Sequence, residues 1–125
     1  MADLLTFELV SPERLLSSGQ VAMVVVPGAE GDFAVLPGHA PMMSTIRPGA
    51  IAIYATDSNV LTSRIFVDGG FAEVNDKGLT ILAERAIPVS DIDPAKTATD
   101  LAAARAANDE AAIARLEAMQ AATVN

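Results

Sequence analysis

Cysteine and tryptophan are both absent from this chain of 125 residues. Disulfides, thiolate nucleophiles and cysteine-ligated metals are therefore excluded. Histidine and tyrosine occur once each, as His39 and Tyr54. General acid–base chemistry near neutral pH draws most often on histidine, so catalytic means are scarce. Positive charge is scarce too. Eight Lys and Arg stand against sixteen Asp and Glu, a formal net charge of -8. A protein that grips phosphate backbones needs a basic face, which argues against nucleic acid as a partner. Anionic membrane surfaces are disfavoured for the same reason. Long apolar runs are missing as well. The longest, Val21 to Pro27, is too short to span a bilayer, so no direct membrane insertion is expected. Met1-Ala2-Asp3-Leu4 lacks the basic start and long apolar stretch of a signal peptide. What the chain does have is an apolar fraction of 51%. That is enough to bury a core, and the expectation is a small, soluble, cytosolic-type protein.

Glycine and aromatic residues are unevenly spread. All eight glycines lie at or before Gly78, and all five aromatics at or before Phe71. In the first part, Leu5, Phe7 and Leu9 alternate with Thr6, Glu8 and Val10, the period of a half-buried strand. Val21 to Val26 alternates with both sets apolar, as expected of a strand covered on both faces. Ile51–Tyr54, Arg64–Val67, Phe71–Val74 and Leu79–Leu82 are further strands, with turns expected at Asp57-Ser58-Asn59 and Asn75-Asp76-Lys77-Gly78. Pro27-Gly28, Pro37-Gly38 and Pro48-Gly49 punctuate the run. This pattern predicts a β-sandwich or barrel of about ten short strands.

From Ala95 to Ala122 there is neither glycine nor proline, and alanine fills 13 of 28 positions. Asp93 suits an N-cap and Pro94 the first helical position. Asn108 is expected to end one helix and cap a second, which reaches to about Ala122. So short a link makes the pair an antiparallel hairpin. Its apolar stripe is thin, comprising Leu101, Ile113, Leu116 and Met119, so the hairpin should pack on the sandwich or on a partner. The expected class is mainly β plus α: a sandwich over residues 1–88, then a two-helix hairpin over 89–125.

Few residues are candidates for chemistry. His39 has no second histidine for a metal site and no nucleophile beside it, which leaves a turn residue or a docking contact. Glu30-Gly31-Asp32 lacks the ligand spacing of a calcium loop, so it reads as a solvated turn or a polar contact. Asp68-Gly69-Gly70 resembles an anion-binding nest but lies between strands, so a hairpin or bulge is expected. Of Met42 and Met43 only one can face inward in a strand, and the other is available to an interface. Ser17-Ser18 has no catalytic partners and reads as a loop or strand end. Neither a catalytic site nor a metal site is expected.

The block Gly31-Asp32-Phe33-Ala34-Val35-Leu36-Pro37-Gly38-His39-Ala40-Pro41 resembles the signature of the epsilon subunit of bacterial F-type ATP synthase. Arg47-Pro48-Gly49, Val67–Val74 and Leu79–Glu84 follow in the order and spacing of that family. The resemblance implies a non-catalytic central-stalk rotor subunit of a proton-translocating complex. The sandwich would sit at the foot of the gamma subunit, on the polar loops of the c-ring. It would couple their rotation to ATP synthesis or hydrolysis at the cytoplasmic face of the bacterial inner membrane. By the same resemblance, Glu30, Asp32, His39, Ala40, Pro41, Met42 and Met43 are candidates for contact with the c-ring and gamma. The C-terminal helices would be candidates for contact with the alpha and beta subunits. Some relatives bind ATP at the helical hairpin, and the matching positions here are Asp93 and Lys96. Lysine stands where those relatives have arginine and cannot form its bidentate fork, so ATP binding is expected to be weak or absent. From Asp91 onward three basic residues oppose six acidic ones. That is the wrong sign for a hairpin that inhibits by reaching acidic segments of a catalytic head, so weak inhibition is expected. The alternative is a nucleotide-sensing subunit that inhibits hydrolysis through its hairpin.

Overall fold

The computed structural model describes residues 4–57 and 59–124. The strands are β1 (Leu5–Val10), β2 (Leu15–Val21), β3 (Met23–Gly28), β4 (Gly31–Val35), β5 (Met42–Thr45), β6 (Gly49–Tyr54), β7 (Ser63–Asn75) and β8 (Gly78–Pro88). A 3-10 turn at Val89–Asp91 leads into α1 (Pro94–Ala106) and α2 (Glu110–Val124). Hydrogen bonding orders the strands β2-β1-β8-β7-β6-β3-β4, with β5 also on β7.

The pairing of β7 explains how this one ladder makes two layers. Its first half pairs with β6, from Gly49↔Val67 to Ile53↔Ser63, and its second half pairs with β5, from Thr45↔Phe71 to Met42↔Val74. β8 follows β7 along its whole length, while β1 joins only the first half of β8. One layer is thus β2-β1-β8-β7-β5 and the other β8-β7-β6-β3-β4. The long β7–β8 ribbon belongs to both, and the change falls at Gly69 and Gly70, whose φ angles are +76° and +119°.

Strand number is where the outcome departs from expectation. Eight strands form among the described residues against about ten expected, and Arg64–Val67 and Phe71–Val74, read as two strands, are two halves of β7. Asp68-Gly69-Gly70 is neither a hairpin nor a register-shifting bulge. Asp68 pairs with Arg85 and Gly70 with Ala83, so the register is the same on both sides. Glycine permits the bend without a chain reversal: a Cβ on Gly70 would lie 1.9 Å from the Leu82 carbonyl oxygen. Ser17 and Ser18 lie within β2, paired with Leu9 and Glu8, rather than in a loop. The turn at Asn75–Gly78 forms as expected, with Asn75 facing Gly78. At the turn after β6, Asp57 accepts from the Asn59 and Val60 amides at 2.8 and 3.0 Å; Ser58 lies outside the described residues.

The alternation read from β1 holds. Leu5, Phe7 and Leu9 are buried and Thr6 and Glu8 exposed. They join Val24, Val26, Ile51, Leu79 and Ile81 between the layers. Each such side chain contributes about 1.5–3 kcal/mol by leaving water.

Asp93 caps α1, accepting from the amides of Ala95 at 3.0 Å and Lys96 at 3.4 Å. The second cap differs from expectation. Asn108 takes φ +57° and ends α1, while Asp109 Oδ1 accepts from the Ala112 amide at 3.2 Å. A residue in the left-handed region stops a helix but cannot also present its side chain as an N-cap, so the next carboxylate does so. Leu101, Ala104 and Leu116 form the hairpin core, with Ala112, Ile113 and Met119 partly buried around them.

Candidate functional site

The proline-framed loop after β4 is held by short-range contacts. Gly38 has φ +83°, and the His39 amide donates to the Leu36 carbonyl at 3.1 Å. His39 Nδ1 lies 2.7 Å from the Ala40 carbonyl oxygen, so the ring folds back on its own loop. Ala40 and Pro41 are exposed. Met42 packs on the core, whereas Met43 is 63% exposed. The two methionines therefore divide as strand alternation requires. This loop, the Asn75–Gly78 turn and the start of β1 border a cleft of about 620 Å³.

Asp32 lies elsewhere. It pairs with Pro27 near the β3–β4 turn, while Val35, at the other end of β4, pairs with Val24. Three strand steps, roughly 10 Å, separate Asp32 from Val35, and the His39 loop begins beyond that. The Asp32 carboxylate forms an ion pair with Arg47, whose Nη1 also donates to the Gly28 carbonyl at 2.6 Å. Glu30 is exposed in the same turn. The seven candidate contacts thus form two patches: His39 to Met43 in one, and Glu30 with Asp32 in the other. The second patch adjoins the helices, for Asp32, Arg47, Arg64, Ala118 and Ala122 line one groove of about 460 Å³.

Asp93 and Lys96 do not fit a nucleotide triphosphate. Asp93 Oδ1 is engaged by the amides it caps, and Lys96 is 3.7 Å from Asp100. Asp91, Asp93 and Asp100 line the adjacent cavity beside a single lysine, and its volume is about 160 Å³. Ligand pockets usually hold ~300 Å³ or more, and three carboxylates repel phosphate. Among the described residues no group of His, Asp and Glu is placed to hold a metal.

The residues that sequence reasoning missed join the hairpin to the sandwich. On the outward face of β7, Arg64 Nη2 donates to the Ala122 carbonyl at 2.8 Å, and Asp68 lies 3.9 Å from Arg115. Between them Phe66 is 1% exposed although it belongs to neither core cluster. Seven helical steps from Arg115 to Ala122 span ~10 Å and four strand steps from Arg64 to Asp68 span ~13 Å, so α2 lies over Phe66. The signal was present in the sequence: Phe66 is a large apolar residue at the outward parity of its strand, between two charges.

A family model for the ATP synthase delta/epsilon chain β-sandwich domain matches residues 4–89. The ATP synthase epsilon chain of Maricaulis maris is 57% identical over 97% of this chain and 97% of its own length. The chain belongs to the ATP synthase epsilon chains. Its relative from Parvibaculum lavamentivorans is 55% identical over 89% of this chain and 81% of that relative. Among solved structures, a chain of the Euglena gracilis mitochondrial ATP synthase (OSCP/F1/c-ring) superposes with a TM-score of 0.84 at 28% identity, covering 98% of this chain and 82% of that one. The epsilon chain is a non-catalytic stalk subunit of the complex, in keeping with a chain that has one histidine and no cysteine.

Proposed function

We propose that residues 1–88 dock this epsilon chain at the foot of the gamma subunit and on the polar loops of the c-ring, and that residues 89–125 form a separate helical unit. In this role it couples rotation to ATP synthesis or hydrolysis as a peripheral subunit on the cytoplasmic face of the bacterial inner membrane. No helix among the described residues is long and apolar enough to cross a membrane. The observation that carries the docking role is the His39–Met43 loop. It combines a tightly folded backbone with exposed Ala40, Pro41 and Met43, and rigid scaffolds place binding surfaces on such loops. The Glu30–Asp32 patch is the second contact candidate.

The chain lacks cysteine, so single replacements give a clean test. Ala40→Cys and Asp32→Cys chains are assembled with ATP synthase carrying a cysteine in the polar c-ring loop or in gamma. Disulfide crosslinks from at least one patch are expected under mild oxidation. Failure from both patches, with normal assembly, would overturn the docking assignment.

Regulation through the hairpin is the weaker part of its role. Lys96, Arg105 and Arg115 each have a carboxylate of this same chain within 4 Å, namely Asp100, Glu117 and Asp68. The hairpin therefore offers little free positive charge to an acidic segment of the alpha or beta subunits. A nucleotide-sensing role is disfavoured by the acidic lining around Asp93 and Lys96.

A further inference from the structure

Among the described residues, strand edges without a partner strand occur at β2, β4, β5 and the second half of β8. An open edge presents unpaired N–H and C=O groups, and folded proteins blunt such edges with charge, proline or brevity. Three of the four edges are blunted in these ways. β4 carries Asp32 next to Glu30, the second half of β8 carries Glu84, Arg85 and Pro88, and β5 is four residues long with Pro41 before it. β2 is the exception. It runs for seven residues, Leu15–Val21, without charge or proline. Its one irregularity is the bulge near Leu15, which leaves Ser17 to Val21 in regular register with β1.

Nothing around Gly19 in the isolated sandwich requires a glycine. Its φ lies outside the left-handed region, and a Cβ there would meet nothing within 4 Å. It pairs with the buried Phe7, so it stands at an inward position, yet it is exposed. Ser17, the next inward position, pairs with the buried Leu9. Two small residues therefore line the inner side of this edge. Glycine inside a strand weakens it and often marks the close approach of another backbone.

We propose that β2 pairs antiparallel with β2 of a second copy of this chain, about a twofold axis at Ser18. The layer β2-β1-β8-β7-β5 of each copy then continues into that of the other. The strand is self-complementary in this register. Ser17 faces Gly19, Leu16 faces Gln20 and the 52% exposed Leu15 faces Val21, so no charge meets a charge. The nearest carboxylates on the axis are the two copies of Glu8, which pairs with Ser18. They stand three strand spacings apart, ~14 Å, beyond the screening length of ~8 Å at physiological salt. An isologous contact of this kind closes at two copies and does not grow into fibres. One strand pair buries less than the ~1,200 Å² of a stable interface, so the dimer is weak, with a dissociation constant of about 10–100 μM. Each copy carries a net charge of -8, so salt strengthens it. The pairing concerns the free chain and is separate from its place in the stalk.

The test is sedimentation of the full-length chain from about 1 to 200 μM at low and high salt, a range that brackets the expected affinity. The wild type is expected to pass from monomer to dimer and to dimerise more strongly at high salt. Ser18→Lys sets two like charges across the axis and should weaken the dimer at least about tenfold. Ser18→Cys gives an independent readout, since the chain has no other cysteine. Cβ atoms directly opposite in an antiparallel pair stand ~5 Å apart, close to disulfide geometry. Mild oxidation should therefore yield a covalent dimer from Ser18→Cys and far less from Thr99→Cys, an exposed position on α1. A wild type that stays monomeric over the whole range would overturn the proposal. A dimer that Ser18→Lys leaves unchanged would also overturn it, because the contact would then lie on another surface. Thermal melts establish that each variant is folded. Where Ser18→Lys does not fold, the crosslinks decide, and equal yields from Ser18→Cys and Thr99→Cys would overturn the pairing.

Discussion

Arg64 donates from Nη2 to the carbonyl oxygen of Ala122 at 2.8 Å, joining the first half of the longest strand to the last turn of the last helix. Helix C-terminal carbonyls have no intrahelical partner, and a guanidinium there meets both that vacancy and the negative end of the helix dipole. With Arg115 near Asp68 at the other end, these two polar contacts flank the buried ring of Phe66 where the hairpin meets the sandwich.

Removal of that ring is the most direct test of the joint. Phe66→Ala is expected to cost about 3–5 kcal/mol in denaturant unfolding of the chain. Limited proteolysis should then cut within 107–124 well before the sandwich. Asp68→Ala should weaken the same joint by only about 1 kcal/mol, since the pair is partly exposed and 3.9 Å apart. A sandwich and a hairpin that stay equally protected in Phe66→Ala would contradict this account.

The bend at Gly70 allows no side chain. Its φ of +119° and the 1.9 Å approach of the Leu82 oxygen to a Cβ predict that Gly70→Ala destabilises the chain by about 3 kcal/mol or more. Gly19→Ala is the control, because a Cβ at Gly19 meets nothing within 4 Å and its φ lies outside the left-handed region. It should be neutral or stabilise by about 0.5 kcal/mol. Equal melting temperatures for the two variants would show that the bend tolerates a side chain.

Asp93 caps α1 through the amides of Ala95 and Lys96. Asp93→Ala is expected to lower stability by about 1 kcal/mol through loss of the cap. Calorimetry with MgATP should give no sub-millimolar binding to the wild type. Clear binding that disappears in Asp93→Ala would restore the nucleotide-sensing role.

Truncation after Val89 reports on inhibition. Hydrolysis by the assembled enzyme is expected to change less than about twofold, which corresponds to under ~0.5 kcal/mol in the barrier. A several-fold rise would show that the hairpin inhibits despite its acidic balance.

Local regularities were legible in the order of residues. The alternation of Leu5, Phe7 and Leu9, the turn at Asn75–Gly78 and the cap at Asp93 all depend on neighbours a few positions away. The bend at Gly69-Gly70 was ambiguous for the opposite reason. Two glycines permit a reversal, a bulge or a bend alike, and only the constant register of β7 against β8 on both sides of them selects the bend. The cap of α2 fell one residue away because Asn108 was needed to stop α1.

The candidate contacts show the same division. The motif from Gly31 to Pro41 is continuous in sequence, yet an extended strand carries its two ends apart, so Asp32 pairs with Arg47 while His39 borders the cleft beside the β7–β8 turn. The sequence by itself excluded thiol chemistry, because it holds no cysteine, and its one histidine and net charge of -8 set the expectation against a histidine-ligated metal and against nucleic acid. It also determined the two-part layout, through the withdrawal of glycine and proline after Pro94. Only the tertiary structure decided which sheet face is covered by the chain's own helix. Arg64 and Ala122 stand 58 positions apart, and no local pattern encodes a contact across that distance.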